Sequence, residues 1–112
     1  IEIIPPKNAT FDFENKYNGM TQELCPPENV NGELQAHAQE IAQKVHKIMG
    51  CRHLSRTDMI INDRDIIVLE INTMPGFTLQ SLFPKSAKIA GISMAEVVDS
   101  LINAAYKDKT IG

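Results

Sequence analysis

The sequence has no basic excess: its 112 residues carry 11 Lys and Arg against 14 Asp and Glu, a net charge of -3. Such a balance disfavours nonspecific binding to nucleic acid or to an anionic membrane. No apolar run approaches the roughly 20 residues that a bilayer-spanning helix needs. No basic-then-apolar leader opens the chain, so the expected location is the cytoplasm. Cysteine is scarce. Cys25 and Cys51 show neither zinc-type spacing nor a secretory context, and are expected to be free thiols. His37 and His46 fall in a helical segment and His53 just before a strand, so histidine and cysteine form no ligand cluster. Internal repeats and low-complexity tracts are absent.

What is present has a globular balance, 43% hydrophobic and 22% charged residues. Residues 1–112 fit one domain with one core and no room for a second. The chain starts at Ile1 without a methionine, on residues that read as a strand needing neighbours, and is expected to be a piece of something longer. Ile1–Ile4 is a short strand stopped by Pro5-Pro6, and Phe11-Asp-Phe13 is at most an edge segment. Residues 15–31 read mostly as a loop of the kind that serves as a mobile lid, with Lys16-Tyr17 at its head. On the residues alone Lys16 is a solvated charge and Tyr17 a packing residue.

Apolar residues at Leu34, Ala38, Ile41, Val45 and Ile48 predict a helix over Glu33–Met49, with Asn31 as cap and Gly50 as stop. Two strands follow, Leu54–Asn62 and Ile66–Asn72. Strict alternation puts Val68, Glu70 and Asn72 on one face of the second strand and Ile67, Leu69 and Ile71 on the other, the expected core face. A three-residue tip, Asp63-Arg64-Asp65, sets Asn62 opposite Ile66, Ile60 opposite Val68, Asp58 opposite Glu70 and Arg56 opposite Asn72, gathering the polar residues on one face. A two-residue tip would scatter them. Beyond Gly76, a second helix carries Leu79, Leu82, Phe83, Ala87 and Ala90, with Gly91 as its stop. Ser81, at its start, is either a ligand hydroxyl or a cap. A last helix begins at Ser93 with Glu96 as a capping box and buries Met94, Val97, Val98, Leu101 and Ala105.

Opposed carboxylates repel. A divalent cation relieves Asp58 and Glu70 most simply, since hard cations take oxygen ligands and the amide of Asn72 adds a third. Arg56 beside them suits a phosphate. The residues leave two readings open: a metal-phosphate site, or a surface hairpin whose charges are solvated or paired with Arg56.

Ser55-Arg-Thr-Asp58, Leu69-Glu-Ile-Asn-Thr-Met-Pro-Gly-Phe-Thr78 and Ser81-Leu82 together closely resemble the C-terminal part of D-alanine-D-alanine ligases, ATP-grasp enzymes of peptidoglycan precursor synthesis. Phe13-Glu-Asn-Lys-Tyr17 and Gly91-Ile-Ser93 fit the same family. The resemblance implies an α+β fold, the C-terminal portion of an ATP-grasp fold, with helices packed on an antiparallel sheet. It implies that ATP phosphorylates one D-alanine carboxylate and that the amine of a second D-alanine attacks the acyl phosphate. Asp58, Glu70 and Asn72 would hold two Mg²⁺ ions, or Mn²⁺ in their place, with Glu70 bridging. Arg56 would bind the transferred phosphate and, with the Gly76 N–H, the oxyanion. Ser81 and the main chain at Leu82 would grip the acceptor carboxylate, while Lys16 reached the phosphates and Tyr17 closed the site. Tyr17 and Leu82 favour an amine acceptor over D-lactate. Thr57, Leu79-Gln80 and a shorter hairpin tip depart from the commonest pattern. The resemblance also implies that an N-terminal D-alanine-binding domain and a central nucleotide lobe lie outside this segment, that the segment alone is inactive, and that the full-length protein is a homodimer. The alternatives are another ATP-grasp carboxylate-amine ligase, or a non-enzymatic divalent-cation or interaction module.

Overall fold

Glu2–Ile4 form β1 and Gln22–Leu24 form β2, an antiparallel pair in the register Glu2 to Leu24 and Ile4 to Gln22. The computed structural model describes residues 1–7, 21–63 and 65–108. The expected edge segment at Phe11–Phe13 lies outside the described residues, as do Lys16 and Tyr17. The stretch 15–31, expected as loop, carries β2 within its described part. The loop after β2 is fastened to β1 by Glu2, whose carboxylate accepts from the N–H groups of Glu28 (3.0 Å) and Asn29 (2.9 Å) and from the Asn29 amide (2.9 Å).

Gly32–Ile48 form α1. Asn31 caps it as expected, its side-chain oxygen accepting from the Leu34 N–H at 2.9 Å. Gly50 ends it in the left-handed region at φ 64°, a conformation that costs glycine little. This helix packs on an antiparallel hairpin of β3, Arg56–Ile61, and β4, Ile66–Asn72. His46 adds a bond across the junction, with Nδ1 2.7 Å from Ser55 Oγ.

Leu82–Ile89 form α2 and Met94–Lys107 form α3, which pack on each other. The spacing of Leu79 with Leu82 and Phe83 suggested an earlier start for α2, but Leu79 is 85% exposed and sits in the preceding turn. Pro84 falls in the first helical turn, where its missing N–H costs nothing. A Lys85–Glu23 ion pair ties α2 to β2. The capping box of α3 forms as predicted, Ser93 N–H to Glu96 Oε2 at 2.8 Å and Glu96 N–H to Ser93 Oγ at 3.2 Å.

The described elements therefore make an α+β arrangement with two two-stranded antiparallel sheets rather than one. Burial departs further from the periodicity. Among the described residues only Pro75, Pro84 and Ala87 are buried. The face of α3 that turns inward is Met94, Val97, Leu101 and Ala104, while Val98 and Ala105 are exposed. On β4, Leu69, on the expected core face, is 58% exposed and not covered by this segment. Cys25 and Cys51 are free thiols.

Candidate functional site

The hairpin changes register part-way along. Arg56 faces Asn72, Thr57 faces Ile71 and Asp58 faces Glu70; beyond an irregularity, Met59 faces Val68, Ile60 faces Ile67 and Ile61 faces Ile66. Leu69 is thus an extra residue on β4, a bulge. The base of the hairpin keeps the predicted pairing. Its tip half does not: Asn62 and Ile60 take partners one residue earlier than the three-residue tip requires.

The turn chemistry explains the shift. The Asn62 N–H donates to the Asp65 carbonyl at 3.0 Å, and the Asp65 N–H donates to the Asn62 side-chain oxygen at 2.7 Å. This side-chain clasp closes a two-residue tip without glycine. The bulge then restores the polar register at the base. Cross-strand partners share a face, so Ile67, opposite Ile60, joins the face of Asp58 and Glu70 instead of the face of Ile71. One surface of the hairpin is therefore charged at its base and apolar toward its tip.

Arg56 lies between the two acids. Its Nε and Nη2 donate to the two oxygens of Asp58 at 2.7 and 2.9 Å, and Nη2 stands 4.0 Å from Glu70 Oε1. A planar guanidinium meeting both oxygens of a carboxylate is the strong form of this contact. The Asp58 bond, with further help from the charges of Asp58 and Glu70, holds the Arg56 proton more tightly than usual, against the opposing effect of partial burial. Glu70 is the open member, its side chain 64% exposed against 33% for Asp58. Arg56 thus offsets part of the repulsion between the opposed acids, a contact compatible with both readings left open by the residues.

At the end of β4, Asn72 turns its amide oxygen to the Met74 N–H at 2.9 Å. That bond fixes which end of the amide is oxygen, and a carbonyl oxygen keeps a second lone pair for a ligand. Among the described residues no group of three His, Cys, Asp or Glu side chains gathers to hold a metal. Two carboxylates and one amide oxygen suit a hard dication that takes its remaining ligands from phosphate or water.

The chain then runs through the buried Pro75 and through Gly76 toward α2. A Cβ on Gly76 would lie 2.6 Å from Ser81 Oγ, so glycine is needed for close approach. Phe77 stacks on Phe83 with centroids 5.4 Å apart, holding this loop to α2. Ser81 stands at the N-cap position of α2 but makes no side-chain cap bond; its hydroxyl lies 2.8 Å from Thr78 Oγ1. A depression of about 360 Å³ has Arg52, Met74, Pro75 and Leu101 in its wall, and none of Asp58, Glu70 or Ser81 lines it. The structure thus brings Arg56, Asp58, Glu70 and Asn72 to one hairpin face and sets Gly76 against Ser81. Lys16 and Tyr17 cannot be placed, lying outside the described residues. Thr78 was missed: nothing in its spacing announces a hydroxyl partner three residues on.

Known proteins are similar to this chain in sequence and fold. A family model described as "D-ala D-ala ligase C-terminus" matches residues 1–103. A D-alanine--D-alanine ligase of Syntrophobacter fumaroxidans is 46% identical over 110 residues, covering 96% of this chain and 35% of that protein. One of Leptospira biflexa is 44% identical over 99 residues, covering 88% of this chain and 28% of that protein. A crystal structure of D-alanine--D-alanine ligase from Bacillus anthracis superposes with a TM-score of 0.72 at 30% identity, over 95% of this chain and 34% of that one. A second, of the Bacillus anthracis ligase complexed with ATP, gives 0.68 at 30% identity over 76% of this chain and 30% of that one. The chain spans about a third of the length of the relatives it matches. With the match extending over residues 1–103, this chain belongs to the D-ala D-ala ligase C-terminus family.

Proposed function

We propose that this segment is the metal-, phosphate- and acceptor-binding portion of an ATP-dependent D-alanine-D-alanine ligase of peptidoglycan precursor synthesis. One observation carries the reading: Asp58 and Glu70 face each other across the hairpin with Arg56 on the same face, bonded to Asp58 at 2.7 Å. The family membership and the Bacillus anthracis ligase complexed with ATP support it.

Asp58, Glu70 and Asn72 would hold two Mg²⁺ ions, with Glu70 shared and Mn²⁺ an acceptable substitute. When bound, such ions neutralise charge on the phosphate oxygens of ATP during phosphoryl transfer. Arg56 meets the phosphate through the same fork it now offers Asp58, since carboxylate and phosphate oxygens match it equally. The acyl phosphate of the first D-alanine is then attacked by the amine of the second, and phosphate leaves. Arg56 and the Gly76 N–H face the oxyanion of that addition. Ser81 donates to the acceptor carboxylate, helped by the main chain at Leu82 and by the free N–H groups of the first turn of α2. Lys16 reaches the phosphates and Tyr17 closes over the substrates, roles that rest on the resemblance alone. So do a homodimeric full-length protein, a cytoplasmic location and the remaining ligase domains as partners; the described helices include none long and apolar enough to cross a membrane.

The test is D-alanine-dependent release of ADP and phosphate by the full-length parent protein, with D-alanyl-D-alanine as the product. Turnover with other amino acids but not D-alanine would assign it to a different carboxylate-amine ligase. Tight Mg²⁺ binding by the isolated segment, without nucleotide, would instead point to a cation-binding module.

A further inference from the structure

Ser81 has the backbone of a helix cap, φ -75° and ψ 151°, without the bond of one. A serine at this position ordinarily accepts from an N–H of the first turn. Ser93 does so at the start of α3, accepting from the Glu96 N–H at 3.2 Å. Ser81 turns its hydroxyl away instead, to Thr78 Oγ1 at 2.8 Å, and its own N–H donates to the Thr78 carbonyl at 2.9 Å. On another side it meets Gly76, where an added Cβ would come within 2.6 Å of Ser81 Oγ and 3.3 Å of its Cβ. Two neighbours therefore set the direction of one hydroxyl: Thr78 by a bond, Gly76 by the space it leaves.

We infer that Thr78 is a positioning residue for acceptor recognition, its hydroxyl donating to Ser81 Oγ so that the Ser81 O–H is left to donate to the acceptor carboxylate. The inference rests on the ligase reading above. A hydroxyl has one hydrogen to give. If Ser81 gives its hydrogen to a carboxylate, the 2.8 Å contact persists only with Thr78 as the donor. Two hydroxyls aligned in this sense polarise each other and strengthen the outer bond. Pro84, third in α2, has no N–H to offer the bond that Glu96 gives Ser93, so without Thr78 the Ser81 hydroxyl loses the partner that fixes its direction and its hydrogen is no longer reserved for the carboxylate. Thr78 thus acts on affinity for the acceptor and has no part in phosphoryl transfer.

Steady-state kinetics on the full-length ligase test this, using Thr78→Val, which keeps the shape and removes the donor, and Thr78→Ser, which keeps the donor. Thr78→Val is expected to raise one of the two D-alanine constants about tenfold, the worth of one bond to a charged group. The other D-alanine constant, the KM for ATP and kcat should stay within about twofold, and the Tm essentially unchanged, since Thr78 and Ser81 are both at the surface turn before α2. Thr78→Ser should restore the wild-type constant. Gly76→Ala, which pushes the same hydroxyl aside, should raise that same constant at least as far. Normal ligation with Thr78→Val indifferent, or with Thr78→Ser failing to rescue, overturns the inference and leaves the ligase reading standing; so does a fall in Tm and in every kinetic constant together. A wild-type protein that does not ligate D-alanine overturns both.

Discussion

Two pairs of carboxylates in this chain are handled in opposite ways. Glu2 and Glu96 are met by neutral donors from neighbouring turns, backbone N–H groups together with short side chains: Glu2 by the N–H groups of Glu28 and Asn29 and the Asn29 amide, Glu96 by the N–H and hydroxyl of Ser93. Asp58 and Glu70 face each other and are met by one guanidinium, bonded to Asp58 and 4.0 Å from Glu70. These donors sit on backbone or on short side chains held in their turns, whereas a guanidinium on a flexible stem can be exchanged for a metal or follow a phosphate. Acids that hold the fold are thus saturated locally, whereas the acids to which the proposed function assigns chemistry are left with a partner that can move.

The largest expected effect separates the two pairs by activity. Glu70→Gln in the full-length ligase should lower kcat/KM by about a thousandfold or more, the scale expected for losing electrostatic stabilisation of a transferring phosphoryl group. Its Tm should hold or rise, because the change removes one of two like charges opposed across the strands. A large fall in Tm would make Glu70 structural and erase the contrast. Arg56→Lys comes next: it keeps the charge and loses the fork, and should cost about a hundredfold in kcat/KM. Equal activity for lysine would mean that only charge matters at this position.

How far this contrast was legible in the sequence depends on the element. Both long helices were, because their stops and starts are chemical: Asn31 and Gly50 bracket α1, and Ser93 with Glu96 opens α3. The pairing of Asp58 with Glu70 was legible because a slip would have scattered the polar residues. The tip was not, since the Asn62 to Asp65 clasp is a side-chain choice and the bulge at Leu69 has no residue signature. Burial failed most widely. Periodicity tells which face is apolar but not what covers it, and Leu69 is 58% exposed on a strand read as core.

The structural acids give the smaller effects. Glu2→Gln should leave kcat/KM unchanged while lowering the Tm by a few degrees, because the loop before α1 loses its charged acceptor. An equal loss of activity and stability would place Glu2 with the working acids.

The smallest effect is in pH dependence. The Asn29 N–H and side-chain amide, followed by the Glu28 N–H, hold the Glu2 carboxyl below its usual range, and the Ser93 hydroxyl and N–H do the same for Glu96. A carboxyl whose folded value is lowered contributes stability above its unfolded value and loses it as pH falls through the folded one. Both groups are exposed to solvent, which limits the size of each contribution. The wild-type Tm should therefore decline as pH drops through and below the ordinary carboxylate range. Glu2→Gln and Glu96→Gln, lacking one titrating group each, should start lower at neutral pH and converge on the wild type in acid. Tm measured from neutral pH downward for all three proteins checks this. Curves that stay parallel would show that the backbone donors do not distinguish the ionised carboxylate from a neutral amide, and with that the physical basis for separating Glu2 and Glu96 from Asp58 and Glu70 would be gone.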